Sequence, residues 1–233
     1  PVIMLSDGYL GNGAEPWKVP DLAEIPRIDP RFATEPNTTA ADGSPRFMPY
    51  RRDPQTLARP WALPGTKGLE HRVGGLEKSA HTGAISYDPA NHEEMVATRA
   101  AKVKGIAKTI PPTAVDDPSG DADVLVLGWG SAYGPITAAV RRVRARGLSI
   151  AQAHVRHLNP LPEDLGDVLR RYRQIVVPEM NTGQFAMLLR SKYLIDVKTI
   201  SRVRGLPISP VDLCDELCRH CGDSKGSDDT REA

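Results

Sequence analysis

The chain has 233 residues, 40% of them hydrophobic, and a formal net charge of +1. A chain of this length can bury a substantial core in one or two domains. The small net charge offers no electrostatic basis for binding nucleic acid, and no apolar run approaches the roughly 20 residues of a membrane helix. The apolar start is too short for a signal peptide and lacks a basic flank, so we expect a cytoplasmic protein.

The first residues predict a buried strand followed by a polar loop. An apolar run from Val2 to Leu5 precedes Ser6 and Asp7. A buried strand cannot satisfy its backbone N–H and C=O groups alone. We therefore expect residues 1–14 to end a domain whose other strands lie upstream or in another subunit.

A long proline-rich connector is expected from residue 15. Ten of the 21 prolines lie between Pro16 and Pro64, where no helical or strand period is sustained. Proline removes a backbone donor and disfavours helix in the preceding residue, which favours extended and turn geometry. Interleaved aromatic side chains indicate a segment docked on a surface, the alternative being a disordered linker. These aromatics are Trp17, Phe47, Tyr50 and Trp61.

The connector continues as a proline- and glycine-rich crossover to residue 118 and contains one helix. Asn91 is the expected N-cap of this helix, which ends near Lys108. A modest apolar stripe is expected to include Met95, Ala101 and Ile106.

One acid and one imidazole lie side by side on the glycine-rich part of the connector. They are Glu70 and His71, in the segment Gly68–His71. Their chemistry allows an acid/base pair or a hydrogen-bonded corner, and both readings stay open.

The second half of the chain predicts an α/β domain with a parallel sheet, placed at residues 119–222. Val124 to Leu127 are apolar without two-residue alternation, as in a strand covered on both faces. Strands and helices then alternate, which implies right-handed crossovers. The later elements are a helix at Pro135–Arg146, a strand at Ser149–Val155, a helix at Glu163–Tyr172, a strand at Gln174–Val177, a helix at Phe185–Ser191 and a strand at Val197–Val203.

A glycine-rich turn that also contains Ser131 and Tyr133 follows the first strand of this domain. Gly128, Gly130 and Gly134 approach the dinucleotide-binding fingerprint, but the last glycine comes one residue too late. That fingerprint also needs an acidic residue after the second strand. Basic side chains stand there instead: His154, Arg156 and His157. A structural turn is therefore favoured over nicotinamide or flavin binding.

The loop after the third strand is a second candidate site. It carries Glu179, Asn181, Gly183 and Gln184. Ligand-contacting loops of open α/β sheets lie at the carboxyl ends of the strands. The same polar side chains are equally suited to capping the next helix or to meeting a neighbouring subunit.

Four arginines on the first helix of the domain predict a solvated face rather than a phosphate site. They are Arg141, Arg142, Arg144 and Arg146. The buried face of this helix is set instead by Ile136, Val140 and Val143.

Three cysteines near the end of the chain have the spacing of radical S-adenosylmethionine cluster loops. They are Cys214, Cys218 and Cys221. Ser209 and Pro210 predict a cap and first turn, which places the thiols on one stripe of a helix. We interpret the stripe as a core or interface face, with a zinc site or an iron–sulfur cluster as alternatives. The polar residues 223–233 are expected to be disordered.

Several segments together resemble the alpha subunits of 2-oxoglutarate:ferredoxin oxidoreductases. They are Pro1–Leu10 with Glu15–Trp17, Gly68–His71, Val126–Ser131 and Glu179–Gln184, in the family's order and across nearly the whole chain. The resemblance implies an α/β fold in which residues 1–14 hold the last strand of a thiamine-pyrimidine domain. The connector then leads to a parallel-sheet domain like the C-terminal domain of transketolase.

The resemblance also implies oxidative decarboxylation of 2-oxoglutarate with coenzyme A to succinyl-CoA and carbon dioxide, with electrons passing to ferredoxin. Thiamine diphosphate, Mg2+ and a [4Fe-4S] cluster would serve the assembled complex, bound with a companion beta subunit rather than by this chain alone. We expect the chain to be inactive alone, with no catalytic residue or metal ligand, and to support subunit assembly and the active-site entrance. The candidate contact residues are Glu70, His71, Gly128, Gly130, Ser131, Tyr133, Glu179, Asn181, Gly183 and Gln184.

Other functions stay open at this point. A pyruvate or branched-chain 2-oxoacid oxidoreductase would differ little in this half of the sequence. A nicotinamide enzyme and a non-catalytic α/β interaction module are the other classes.

Overall fold

The chain divides into two units, Trp17–Ala107 and a second made of Pro1–Pro16 with Lys108–Ala233. The computed structural model describes residues 8–14 and 18–225. The strand predicted at the start of the chain lies outside the described residues. A short helix, α1 (Gly8–Asn12), follows it, although no helix was predicted there.

The unit Trp17–Ala107 is mostly irregular, as its proline content predicts. Its strands have two residues each and form two small pairs. β1 (Phe32–Ala33) lies parallel to β4 (Trp61–Ala62), and β2 (Thr38–Thr39) lies antiparallel to β3 (Pro45–Arg46).

The aromatic side chains proposed to fix the connector differ in how far they are buried. Phe47 is buried, at 7% exposure, and its ring lies 5.3 Å from that of His71. Trp61 is 57% exposed, so it does not pin the segment within this unit. Tyr50 is half-buried beneath the guanidinium of Arg59, and Trp17 lies outside the described residues.

The predicted helix of the connector is α2 (Pro89–Gly105), but its cap differs from the prediction. Asp88 is the N-cap, and its side chain accepts a hydrogen bond from the backbone of Ala90. Asn91 instead accepts from the backbone N–H of Ala80 and donates to the carbonyl of Lys78. The proline that follows Asp88 suits the first helical position, which explains why the helix begins there and not at Asn91.

The predicted apolar stripe of α2 is wrong apart from one residue. Met95 is buried, whereas Ala101 and Ile106 are exposed. A 3-10 turn, Ile106–Thr109, follows the helix.

The α/β unit has a five-stranded, mostly parallel sheet in the order β5-β7-β6-β8-β9. Among the described strands of this sheet, β5 pairs antiparallel with β7 and the other ladders are parallel. The predicted α/β class is thereby confirmed. The elements are β5 (Val115–Asp116), β6 (Val124–Trp129), α3 (Tyr133–Ala145), β7 (Ala151–Val155), α4 (Leu165–Arg170), β8 (Gln174–Glu179), α5 (Gln184–Tyr193), β9 (Val197–Ser201) and α6 (Pro210–Lys225).

Two apolar layers enclose the sheet. Leu125 and Leu127 of β6 face the layer that contains α4 and α5, while Val124 and Val126 face the layer of α3 and α6. All four side chains are fully buried, which explains why β6 shows no alternation of apolar and polar residues. The predicted buried face of α3 is confirmed, because Ile136, Val140 and Val143 are 0% exposed.

Helix α6 carries the three cysteines on its inner stripe, as predicted. Cys214 and Cys221 are buried and Cys218 is half-buried. Burial, followed by the neighbouring Cys218, raises the pKa of the Cys214 thiol. Ser209 Oγ accepts from the N–H of Asp212 at 3.3 Å, as expected of a cap. The helix reaches Lys225, so the disordered tail predicted for residues 223–233 is wrong for its first three residues. Residues 226–233 lie outside the described part of the chain.

None of the helices in the described part of the chain has the length and apolar character needed to cross a membrane.

Candidate functional site

The sheet opens at its carboxyl edge between β6 and β8. β6 stays paired with β7 as far as Trp129, and β8 stays paired with β9 as far as Glu179. Between β6 and β8 the pairing already ends at Val126, opposite Val176. The strand order also reverses here, because β7 extends the sheet beside β6 and β9 extends it beside β8. Such a switch point is where open α/β sheets bind ligands.

The two predicted loops lie at the carboxyl ends of these strands. They are Gly128–Tyr133 and Glu179–Gln184. Each loop is shorter than predicted, because its first residues still belong to β6 or β8 and its last residue begins α3 or α5. The rings of Trp129 and Phe185 lie 6.0 Å apart at an angle of 56°, an arrangement typical of aromatic contacts. Neither aromatic was among the predicted site residues. The position of Trp129 between two glycines could have marked it as a site residue in the sequence. Its contact with Phe185 could not be predicted, because the two residues come together only in the folded sheet.

Gly128 lies where β6 and α3 approach each other closely. A Cβ at this position would be 2.7 Å from Ile136 Cδ1 and 3.1 Å from His154 Nδ1. Gly130 has a φ of +56°, a left-handed backbone conformation that favours glycine because other residues adopt it at a cost. Ser131 lies half-buried in the 3-10 turn that joins this glycine to α3. Packing and backbone geometry therefore account for both glycines.

Tyr133 and His154 flank the same turn. Tyr133 is 54% exposed, and its ring meets that of His154 edge to face at 5.0 Å. His154 Nδ1 is buried and has no hydrogen-bond partner among the described residues. Burial, and then the positive charge of Arg156, lower the pKa of His154. The imidazole is therefore neutral at physiological pH.

Glu179 caps α5 from inside the protein. Its side chain is buried, with the residue 1% exposed. Oε2 accepts from the N–H of Phe185 and Oε1 from that of Ala186, both at 3.0 Å. These N–H groups belong to the first turn of the helix and have no partner within it. The carboxylate also lies at the positive end of the helix dipole.

Asn181 fixes the turn between β8 and α5. Its Oδ1 accepts from the N–H of Gly183 at 2.7 Å and from that of Gln184 at 3.2 Å. Gly183 has a φ of +93°, and a Cβ there would lie 3.2 Å from Thr199 Cγ2. Gln184 is exposed. The structure thus realises the capping alternative for Glu179 and Asn181, while Gln184 presents its side chain at the surface.

Glu70 and His71 lie in the other unit, on an exposed loop. Within the described chain they form no hydrogen bond with each other. His71 Nδ1 lies 2.8 Å from the carbonyl of Leu69. The backbone N–H of Glu70 itself, then that of Gly68 and the charge of Lys67, lower the pKa of the Glu70 carboxyl. The loop is thus a hydrogen-bonded corner in this structure.

The metal groups implied by the resemblance do not fit the donor atoms of the described residues. In residues 8–14 and 18–225, no three His, Cys, Asp or Glu side chains are grouped to hold a metal ion. A [4Fe-4S] cluster is commonly held by four thiolates, whereas this chain has three cysteines. We therefore assign no Mg2+ or cluster ligand to the described residues.

Comparison of the chain with known proteins shows which family it is similar to. Residues 122–213 match the family model "Pyruvate:ferredoxin oxidoreductase core domain II". The chain is 52% identical over 219 residues to 2-oxoglutarate oxidoreductase subunit KorA of Mycobacterium tuberculosis, covering 94% of this chain and 31% of that protein. It is 30% identical over 195 residues to 2-oxoacid:ferredoxin oxidoreductase 1, subunit alpha, of Aeropyrum pernix, covering 81% of this chain and 29% of that protein.

A solved structure shows the same fold. The 2-oxoglutarate:ferredoxin oxidoreductase of Magnetococcus marinus, with 2-oxoglutarate, coenzyme A and succinyl-CoA bound, superposes with a TM-score of 0.69 at 29% identity. The match covers 79% of this chain and 32% of that one. The chain therefore spans about a third of the length of these relatives. It belongs to the family of 2-oxoacid:ferredoxin oxidoreductase alpha subunits.

Proposed function

We propose that this chain is part of a cytoplasmic 2-oxoglutarate:ferredoxin oxidoreductase. The complex would oxidatively decarboxylate 2-oxoglutarate, transfer the succinyl group to coenzyme A, release carbon dioxide and reduce ferredoxin. The observation that carries the proposal is the 52% identity with the M. tuberculosis KorA subunit across 94% of this chain.

Within that complex, the described residues would shape the entrance to the active site and support subunit contacts. The loops after β6 and β8 are the best-placed surfaces, because they lie at the switch point of the sheet. Glu179 and Asn181 hold the second loop in shape, which leaves Gln184 and Tyr133 as exposed side chains able to reach a neighbour. Glu70 and His71 are further contact candidates, on the exposed corner of the other unit.

We also propose an assignment of the chain to domains of such an enzyme. Residues 119–222 would form a domain like the C-terminal domain of transketolase, and residues 1–14 would end a thiamine-pyrimidine domain. The parallel sheet with helices on both faces supports the first assignment. Residues 15–118 would form the crossover, in which β5 adds an antiparallel edge to the sheet of the following domain.

Thiamine diphosphate, Mg2+ and a [4Fe-4S] cluster are proposed for the assembled complex, together with a companion beta subunit and ferredoxin. When bound, thiamine diphosphate would supply the electron sink that decarboxylation of a 2-oxoacid needs. We assign this chemistry to parts of the complex other than the described residues.

A different 2-oxoacid is the second candidate substrate. The matching family model is named for pyruvate, and the A. pernix relative is named only for a 2-oxoacid. The higher identity with the 2-oxoglutarate subunit makes 2-oxoglutarate the first choice.

The test is to tag the gene that encodes this chain in its own organism and to purify the assembled complex without oxygen. The expected result is co-purification of a second subunit, with reduction of a viologen dye that requires both 2-oxoglutarate and coenzyme A. A complex that reduces the dye with neither 2-oxoglutarate nor pyruvate would contradict the proposal.

A further inference from the structure

A basic cleft opens beside α3 in the α/β unit. It has a volume of about 520 Å3 and lies between α3, the end of β7 and the segment that precedes β5. This volume is within the range of small-molecule sites, roughly 300–1,000 Å3. Part of its wall is apolar, formed by Ile110, Pro111, Pro112 and Pro162.

One stripe of α3 lines the cleft. Tyr133, Thr137, Arg141 and Arg144 follow one another at steps of four, four and three residues, which places them on one side of a helix. The other two arginines of this segment do not line the cleft. Arg146 instead forms a salt bridge with Asp215 of α6, with 2.8 Å between Nη1 and Oδ1. Of the four arginines that were predicted to form a solvated face, Arg141 and Arg144 therefore line the cleft, and the other two do not.

The walls of the cleft are fixed by hydrogen bonds. Arg144 Nη1 donates to Asp116 Oδ2 at 2.8 Å, and Arg144 Nε donates to the carbonyl of Ile150 at 3.1 Å. In the segment that precedes β5, Thr113 donates through its N–H and its hydroxyl to the carboxylate of Asp164, at 2.8 and 2.9 Å. A pre-formed site loses less conformational entropy when it binds a ligand.

Two guanidinium groups of the cleft are available to a ligand. Arg141 and Arg156 both line it, and within the described part of the chain neither forms a salt bridge or hydrogen bond. Asp116 is the acidic residue of the lining, and Arg144 already neutralises it. Guanidinium groups bind phosphate oxygens in pairs of parallel hydrogen bonds.

We propose that this cleft binds an organic phosphate. Arg141 and Arg156 hold the phosphate group, and the proline-rich wall packs against the organic part. A lone phosphate ion leaves most of the volume empty, whereas a phosphorylated sugar or a nucleotide fills it. The proposal does not rest on the oxidoreductase function, because it is argued from the residues of the cleft alone.

The proposal is tested by calorimetric titration of the purified complex with ADP and, separately, with ribose 5-phosphate, each with and without inorganic phosphate as competitor. The two probes distinguish a nucleotide from a sugar phosphate as the source of the phosphate group. The variants are Arg141→Gln and Arg156→Gln. Arg142→Gln is the matched control, because Arg142 is an exposed arginine of the same helix that does not line the cleft.

The expected result is saturable binding of at least one probe, weakened by about tenfold or more in each cleft variant and unchanged in the control. No saturable binding of either probe, or binding that the two variants leave intact, overturns the proposal. Arginine modification by phenylglyoxal in the unmutated complex gives a second readout. The bound probe should protect Arg141 and Arg156 but not Arg142, and equal modification of all three with and without the probe also overturns the proposal.

Discussion

Replacement of Glu179 tests most sharply whether a buried carboxylate holds the loop at the switch point. Glu179 accepts two backbone hydrogen bonds of 3.0 Å from the first turn of α5, and the residue is 1% exposed. A hydrogen bond to a charged group contributes about 1.5–3 kcal/mol. Glu179→Ala removes both acceptors, so we expect a loss of about 3–5 kcal/mol in the local stability of α5. Glu179→Gln keeps one acceptor oxygen, so the expected loss is about 1–2 kcal/mol.

Hydrogen exchange of the peptide that contains Gln184–Tyr193 measures this directly in the assembled protein. A loss of about 3 kcal/mol corresponds to exchange that is faster by about a hundredfold or more. Glu163→Ala is the matched control, since Glu163 is an exposed acid of the same unit. Equal exchange of α5 in Glu179→Ala and Glu163→Ala would refute the capping role.

Three further predictions concern other residues. Gly128→Ala should destabilise the protein by about 1–3 kcal/mol in thermal unfolding, because the new Cβ would lie 2.7 Å from Ile136 Cδ1. Gly134→Ala is the control and should not destabilise the protein, because no atom lies within 4 Å of its new Cβ. Because the pKa of His154 is lowered, its contribution to stability is full above its ordinary pKa of about 6.5 and is lost as the pH falls through the folded value. The stability of the wild type relative to His154→Gln should therefore decrease as the pH falls below about 6.5, and parallel melting profiles would contradict this. Asn91→Ala removes the bridge between Ala80 and Lys78 and should cost about 1–3 kcal/mol, and a loss no larger than that of an exposed asparagine would contradict it.

The regular parts of the α/β unit were accessible from the sequence because their signals are local. The unbroken apolar run of β6 predicts a strand covered on both faces, and three apolar positions predict the buried face of α3. β5 was not predicted, since two residues carry no period and its pairing with β7 is decided by tertiary contacts.

The start of helix α2 was harder to predict from the sequence because two possible capping residues lie close together. Asp88 and Asn91 are both good capping residues, and only the proline after Asp88 favours the first. The apolar residues Ala101 and Ile106 fit a helical stripe, but both are exposed.

The candidate site was predicted in outline and not in its contacts. The rule that ligands bind beyond the carboxyl ends of parallel strands identifies both loops. It does not predict that Glu179 turns inward to cap α5, or that Trp129 meets Phe185. The Glu179 contact depends on the turn between β8 and α5, and the Trp129 contact joins residues far apart in the sequence, so neither follows from a local pattern.

The complex proposed for this chain acts on 2-oxoglutarate. The most direct measurement is the coenzyme A-dependent rate of viologen reduction by the purified complex, compared as kcat/KM for 2-oxoglutarate and for pyruvate. We predict a preference for 2-oxoglutarate of at least about tenfold, corresponding to about 1.4 kcal/mol of transition-state stabilisation. Equal rates, or a preference for pyruvate, would contradict the assignment of the substrate.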